Sequence, residues 1–326
     1  MLADQPPGVD DGRDGDDGAR LPGGEPELTD HDTAFADPED VAARLAEVGY
    51  LADDDIASAV HLMTALDRPL LTEGPPGVGK TALARSLAAC AGRRLVRLQC
   101  HEGIDDARAL YEWDYGRQLL ATQLLARSAD GAEAPEQVTA LFDESFLLER
   151  PLLTAIRSPE PVVLLVDEVD RADEAFDALL LEVLDEGQVT VPELGTLSSD
   201  TRPWAILTSN ETRELADALK RRCLRIGIGY PEPDRERDIL TAAVPGVSAA
   251  LVAQLVGALE RLRSLPLHQP PGVAEAIDWA QALLVLGASE LDDEVIRRTL
   301  PSLVKHGRDD AAVRSALTSV TNTDDR

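Results

Sequence analysis

Gly74-Pro75-Pro76-Gly77-Val78-Gly79-Lys80-Thr81 is a complete G-x-x-x-x-G-K-[ST] stretch, and the rest of the chain is read outward from it. Glycines at 74, 77 and 79 let the backbone turn inward so that its N–H groups face an anion. The helix that follows points its positive dipole end at the same place. Lys80 is then placed to reach the β- and γ-phosphates of a nucleoside triphosphate, and the Thr81 hydroxyl to ligate Mg2+. Residues from Gly74 through Ala82 are therefore the candidate nucleotide contacts. The flanks agree: 69–73 is an apolar strand, and 80–91 reads as a helix with Leu83, Leu87 and Cys90 spaced for burial and Gly92 as its stop. A looser dinucleotide pattern, Gly77-x-Gly79-x-x-Ala82, overlies the same residues. It requires an acid at the end of the second strand, and residues 94–100 end without one.

Composition narrows the class. The chain has 326 residues, of which 44% are hydrophobic but only 3% aromatic, so its core must be aliphatic and alanine-rich. Thirty-one basic against 60 acidic side chains give a formal charge of −29, which repels nucleic-acid backbones and anionic membranes. No nucleic-acid partner is expected. No apolar run approaches the roughly 18 to 20 residues of a membrane span, and the first residues have neither a basic start nor an apolar signal core. The expected location is cytoplasmic. Cys90, Cys100 and Cys223 are too scattered for a disulfide framework or a zinc site and read as reduced packing residues.

Along the chain, residues 1–37 are Asp-, Gly- and Pro-rich with almost no large apolar side chains, which predicts a disordered acidic leader. Order is expected from 38, with a short amphipathic helix over 41–48 and a second one capped by Asp53. Strands at 69–73, 94–100, 161–167, 204–210 and 223–229 then alternate with helical stretches at 80–91, 104–127, 145–157, 173–186 and 212–221. Such alternation predicts an α/β domain with a parallel sheet over 38–230. Beyond Pro231 only helical patterns appear, at 232–243, 247–264, 272–286 and 291–304. These predict an all-helical second domain over 231–315 and a flexible tail over 316–326.

A second chemical signature sits at 161–168, Pro-Val-Val-Leu-Leu-Val-Asp-Glu, a buried strand ending in two carboxylates. Asp167 is placed to hold Mg2+ and Glu168 to polarise an attacking water. The strand at 204–210 ends on Asn210, which can hydrogen-bond the γ-phosphate or that water. Lys220-Arg221-Arg222-Cys223 puts cations at the start of the last strand. They suit either an arginine acting on a neighbouring subunit's nucleotide or a solvated helix end with cations near its negative dipole.

Taken in order, 74–81, Val166-Asp167-Glu168-Val169-Asp170-Arg171-Ala172, Thr208-Ser209-Asn210 and Arg221-Arg222-Cys223, with helices behind, resemble AAA+ ATPases. The likeness narrows to the MoxR family and, within it, to the CoxD-like branch associated with carbon monoxide dehydrogenase maturation. Residues 98–103, 109–113, 147–153 and 187–192 carry the narrower match. The resemblance covers about residues 38–315. It implies a P-loop AAA+ sheet of order 5-1-4-3-2, a helical lid, ATP and Mg2+ at the interfaces of a homo-oligomeric ring, usually hexameric, and Arg222 as arginine finger with Arg221 as fallback. It also implies a partner with a von Willebrand factor A domain and a client enzyme that is remodelled, matured or metallated. By the same likeness 187–196 corresponds to a hairpin before the sensor strand, and the segment near 104–127 to a helix insert. One departure is visible: Ala274, in Gly272-Val273-Ala274-Glu275-Ala276, stands where many AAA+ lids offer a sensor 2 arginine. Two other functions fit parts of the pattern, a nucleotide-dependent assembly switch with negligible turnover and a DNA-acting AAA+ ATPase, the latter opposed by the charge.

Overall fold

The computed structural model describes residues 34–128, 140–191, 194–198, 201–305 and 307–321. Its centre is a five-stranded parallel sheet of β1 (Leu70–Glu73), β2 (Arg94–Gln99), β5 (Val162–Asp167), β8 (Trp204–Ser209) and β9 (Leu224–Gly227), in spatial order β2-β5-β8-β1-β9. Counting only these five, the order is 5-1-4-3-2, as the resemblance to AAA+ ATPases implies. Both faces are covered, and the pleat shows it. In β5, Val162, Leu164 and Val166 join one apolar cluster, and Val163 and Leu165 join the other. Trp204 and Ile206 of β8 likewise face away from Ala205 and Leu207. A strand buried on both sides cannot show polar alternation, so it reads as the unbroken apolar run seen in the sequence.

Helices α1 (Pro38–Glu47), α2 (Asp54–Ala65) and α3 (Lys80–Cys90) pack on one face. Asp37 and Asp53 cap α1 and α2 by accepting from the backbone N–H of Asp40 and Ile56. The region expected as one helix over 104–127 is instead α4 (Asp106–Ala109), a short strand β3 (Tyr111–Trp113) and α5 (Tyr115–Ser128). The stretch near 145–157 splits into β4 (Leu147–Glu149) and α6 (Pro151–Ile156), and β4 pairs antiparallel with β3. Three-residue strands leave no measurable period, and Tyr111, Trp113 and Phe142 are held by edge-on ring contacts that the sequence cannot announce. The helix expected over 173–186 is α7 (Glu174–Leu181) followed by a wider turn over Glu182–Glu186. Strands β6 (Gln188–Val191) and β7 (Gly195–Ser198) form the expected hairpin. The helix expected over 212–221 shortens to α8 (Asp217–Arg222), because residues 211–216 are drawn into side-chain contacts described below.

Helices α9 (Pro233–Ala243), α10 (Ala249–Arg263), α11 (Val273–Val285), α12 (Asp293–Leu303) and α13 (Asp310–Thr321) enclose their own apolar cluster. Trp279 is fully buried within it and donates its indole N–H to Thr299 Oγ1 at 2.8 Å, which makes it a packing residue. Leu317, placed by the sequence reading in a flexible tail, is buried on α13.

The leader boundary also moves. Residues 1–33 lie outside the described residues, but Phe35, expected to be disordered, is only 1% exposed. Its ring lies 6.0 Å from Trp204, and the Arg44 guanidinium stacks 4.6 Å from its centroid. Arg44 also donates to the carbonyls of Ala34 and Cys90, fastening this segment to α3. A single aromatic anchor inside a polar stretch is invisible to composition. Replacing Phe35 by Ala should cost about 3 to 5 kcal/mol, the usual range for emptying a buried Phe site. A denaturant midpoint equal to that of the parent chain would show that the anchor carries no stability.

Candidate functional site

The carboxyl end of the sheet gathers the residues singled out in the sequence. Strand β1 ends at Glu73, and the chain turns through Gly74, Gly77 and Gly79 at φ of 143°, 78° and 103° before entering α3. Positive φ is what only glycine adopts cheaply, so the loop is shaped by the residues its motif specifies. Lys80 is 6% exposed; its Nζ donates to the carbonyls of Gly74 (2.6 Å) and Pro75 (2.7 Å) and to Asn210 Oδ1 (2.9 Å). Burial pushes its pKa down, opposed by the carboxylates of Asp170, Asp167, Glu211 and Glu168. Asn210, at the end of β8, is thus brought onto the loop across 130 residues of chain.

Asp167, 3% exposed at the end of β5, is saturated. Its Oδ1 accepts from Thr81 Oγ1 (2.9 Å) and Thr208 Oγ1 (2.7 Å), and its Oδ2 from Arg97 Nη2 (2.5 Å) and Nε (3.1 Å). The Thr81 hydroxyl and the Asp167 carboxylate are hard oxygen donors of the kind Mg2+ takes, so the pair found by sequence fits that ion. Glu168 adopts the left-handed region at φ 55°, a conformation that costs a non-glycine residue free energy and recurs at functional positions. Its backbone N–H donates to Thr208 Oγ1 at 2.8 Å, and its side chain accepts from Arg171 Nη1 at 2.9 Å. Thr208 therefore holds both acidic residues at once.

Two further carboxylates organise the loop after β8. Asp170 accepts from the Thr212 N–H (2.9 Å) and hydroxyl (2.6 Å). Burial works to raise its pKa, but these bonds and one from the Asn210 backbone outweigh it and hold the carboxyl below its ordinary value. Asp177, 1% exposed, takes both arms of Arg213 (2.8 and 3.0 Å) and the Ala216 N–H. Neither role is announced by a motif.

Lys80, Thr81, Asp167, Glu168, Thr208 and Asn210 open onto a cavity of about 640 Å³, within the roughly 300 to 1,000 Å³ of small-molecule sites. Away from the phosphate loop its wall is largely apolar: Leu51, Ile56, Ile228, Ile239, Ala243 and Ile277. The sequence reading missed this half. Tyr50 and Leu51 come from an irregular link between α1 and α2. Arg235 of α9 fixes that link by donating to the Leu51 carbonyl at 2.9 Å and pairing with Asp53. Burial raises the Tyr50 phenol pKa well above its ordinary value, with Arg235 lowering and Asp53 raising it, so the ring is a neutral wall. The only sequence signal was an apolar pair inside a loop. From α11, Val273, Ala274 and Ile277 reach the cavity, and none carries charge.

Arg222 is not brought to this end. It closes α8 just before β9, where the Leu224 N–H bonds the Pro69 carbonyl ahead of β1, at the opposite edge of the sheet from Gly74. It is 57% exposed and pairs with Asp185 at 3.0 Å. Arg68 donates to the carbonyls of Arg221, Arg222 and Cys223 and fixes the end of that helix. Arg221 is exposed. The three thiols are free; burial pushes Cys100 and Cys223 up to about 12, as expected of packing residues.

Residues 69–223 match the AAA domain of the dynein-related subfamily. The chain is similar to protein NorQ of Paracoccus denitrificans, 23% identical over 82% of this chain and 90% of that protein. It is also similar to the gas vesicle ATPase GvpN2 of Halobacterium salinarum, 25% identical over 83% of this chain and 80% of that one. Among solved structures, a variant of Thermotoga maritima RuvB aligns with a TM-score of 0.42 at 17% identity, over 82% of this chain and 70% of that one.

Thr208→Val keeps the side-chain shape but deprives Asp167 of a donor and the Glu168 N–H of its acceptor. Leaving buried polar groups unpaired costs about 1 to 3 kcal/mol, which a denaturation curve would register. An unchanged midpoint would mean that Thr208 does not hold the two acids.

Proposed function

We propose that this chain is an AAA+ ATPase of MoxR-like type that hydrolyses ATP at the carboxyl edge of its sheet to remodel, mature or help metallate a client enzyme, as a subunit of a homo-oligomeric ring. The observation that carries the hydrolytic reading is the convergence of Lys80, Thr81, Asp167, Glu168 and Asn210 at that edge, linked through Thr208. The CoxD-like branch, a partner with a von Willebrand factor A domain, and a hexameric, cytoplasmic assembly extend the reading. The branch rests on the stretches 98–103, 109–113, 147–153 and 187–192, the partner and the ring size on the family resemblance, and the location on the sequence's lack of an apolar span or signal core. No described helix is long and apolar enough to cross a membrane.

In this reading residues 74–82 cradle the triphosphate, with the backbone N–H groups of 77–82 as donors, and the apolar half of the cavity takes the base. Lys80 transfers its bonds from the Gly74 and Pro75 carbonyls to the phosphates. Mg2+, when bound, lowers the charge on the phosphate oxygens, and Thr81 and Asp167 are the residues that hold it. Glu168 accepts a proton from the attacking water, and Asn210 orients that water or the γ-phosphate. To do so the Glu168 carboxylate has to leave Arg171. The Glu168–Arg171 pair also supports a second reading, a ring in which ATP drives assembly with little turnover. Steady-state phosphate release by the pure protein separates the two. The α/β domain is assigned to 35–230 and the lid to 231–321, each widened from the sequence boundaries by Phe35 and Leu317.

Arg222 is assigned to the nucleotide of a neighbouring subunit. An arginine finger supplies a factor of roughly 10³ to 10⁵ in rate, so Arg222→Ala should bind ATP and turn over very slowly. Lys80→Ala loses a charge-assisted contact of about 1.5 to 3 kcal/mol and should bind ATP weakly. Mixing the two inactive proteins should restore part of the activity, because some interfaces then pair an intact loop with an intact finger. If mixed rings form but stay inactive, Arg222 does not act across the interface. Separately, Glu168→Gln should bind ATP like the parent while phosphate release nearly stops. Parental turnover in that variant would remove Glu168 from the chemistry.

A further inference from the structure

We infer that the helical lid reads the state of the nucleotide through a backbone contact between Gly272 and Gly77. The three residues that α11 contributes to the cavity, Val273, Ala274 and Ile277, are apolar, so none of them offers a charge to the phosphates. What the helix does offer is proximity. A Cβ built on Gly272 would stand 2.8 Å from the Cα, C and O of Gly77, inside the distance that real Cβ atoms keep from backbone. A Cβ on Gly77 would meet Glu275 Oε2 at 2.6 Å and Gly272 Cα at 3.3 Å.

The two glycines differ in why they are glycine. Gly77 has φ 78° and needs the freedom for the loop itself. Gly272 has φ −85° and ψ −173°, ordinary extended backbone that any residue adopts. Its missing side chain is therefore explained by the approach to Gly77 and by nothing local.

The contact is also bonded and braced. The Ala274 N–H donates to the Gly77 carbonyl at 3.0 Å, tying the first turn of α11 to the middle of the phosphate loop. The Glu275 carboxylate closes the turn by accepting from the Gly272 N–H at 3.0 Å. Immediately upstream, Arg263 donates to the Pro271 carbonyl at 2.9 Å, and the same guanidinium pairs in two-pronged fashion with Glu236, which is fully buried in the lid. A displacement of Gly77 as the loop closes on phosphate is thus transmitted to Gly272 and Ala274 and, through Arg263 and Glu236, to α10 and α9. Packed backbone at this distance cannot absorb the displacement, so the lid has to move with the loop.

The inference rests on the nucleotide site proposed above. Its test is hydrogen–deuterium exchange on the full chain, without nucleotide, with ADP and with a non-hydrolysable ATP analogue, followed at the phosphate loop and at residues 273–276. In the parent chain both segments should respond, and the lid segment should distinguish ADP from the ATP analogue. In Gly272→Ala the loop should still gain protection, the lid response should vanish, and kcat should fall about tenfold with nucleotide affinity changed much less. Gly257→Ala, in the same lid but with open space around its Cβ, should behave like the parent. Protection at the loop with an indifferent lid in the parent chain overturns the inference alone, whether or not Gly272→Ala folds. A parent-like response and kcat in Gly272→Ala do the same. Absence of protection at the loop itself overturns the nucleotide site and the inference together.

Discussion

The site depends on one buried carboxylate. Asp167 ends β5, beside the central strand β8, with almost no solvent around it, and a charge in that position is tolerated only where other groups replace its hydration. The replacement comes from three directions: Thr81 at the start of α3, Thr208 on β8 and Arg97 on β2. The phosphate loop, the sensor strand and the sheet edge are thereby held against one another by partners of a single side chain. Removing one partner of a buried charge typically costs about 3 to 5 kcal/mol, more than most surface contacts contribute. The same oxygens are those a metal ion would use, so metal binding has to exchange existing hydrogen bonds for coordination. In this site stability and chemistry share their donors.

How much of this could be read from the chain alone follows from where information is local. The sheet was legible because β5 and β8 are buried on both faces and therefore show as unbroken apolar runs. The phosphate loop was legible because its glycines, its lysine and its threonine are contiguous and each has a separate mechanical reason. What escaped was made by contacts between distant segments. Tyr111–Trp113 pairs with Leu147–Glu149 across 36 residues at the centre of the register, and no three-residue strand carries its own periodic signature. Phe35 was hidden because one aromatic anchor does not alter the composition of an acidic stretch. The end of the chain was misjudged at α13, whose register is set by the other lid helices.

The site divides the same way. Lys80, Thr81, Asp167, Glu168 and Asn210 were each marked by a strand end or a motif, and the structure brings them within hydrogen-bonding reach of one another or of Thr208. The Arg213–Asp177 pair, the Arg235 clamp on Leu51 and the meeting of Gly272 with Gly77 were not marked. Each depends on two loops arriving at one point, and an Arg, an Asp or a Gly in an acidic, glycine-containing chain carries no sign of its partner.

Arg222 shows how far topology alone can constrain a role. The phosphate loop leaves the carboxyl end of β1, and Arg222 enters β9 at the amino end of the same parallel pair, with Leu70 opposite Leu224 and Glu73 opposite Gly227. Four residues of strand at about 3.3 Å each separate the two edges. The backbone around Arg222 cannot swing to cross that gap, because Arg68 binds the three carbonyls at the end of α8 and the Leu224 N–H is bonded to Pro69. The side chain points instead to Asp185, on the turn before the β6–β7 hairpin. A guanidinium so held cannot serve the phosphates of its own chain. Either it meets the nucleotide of a second copy, in which case the Asp185 pair is what it gives up on assembly, or it is a solvated helix terminus whose charge is spent on Asp185. Arg68 matters in both cases: it anchors the segment from the β1 side, so any load on Arg222 is passed to the strand that carries the phosphate loop.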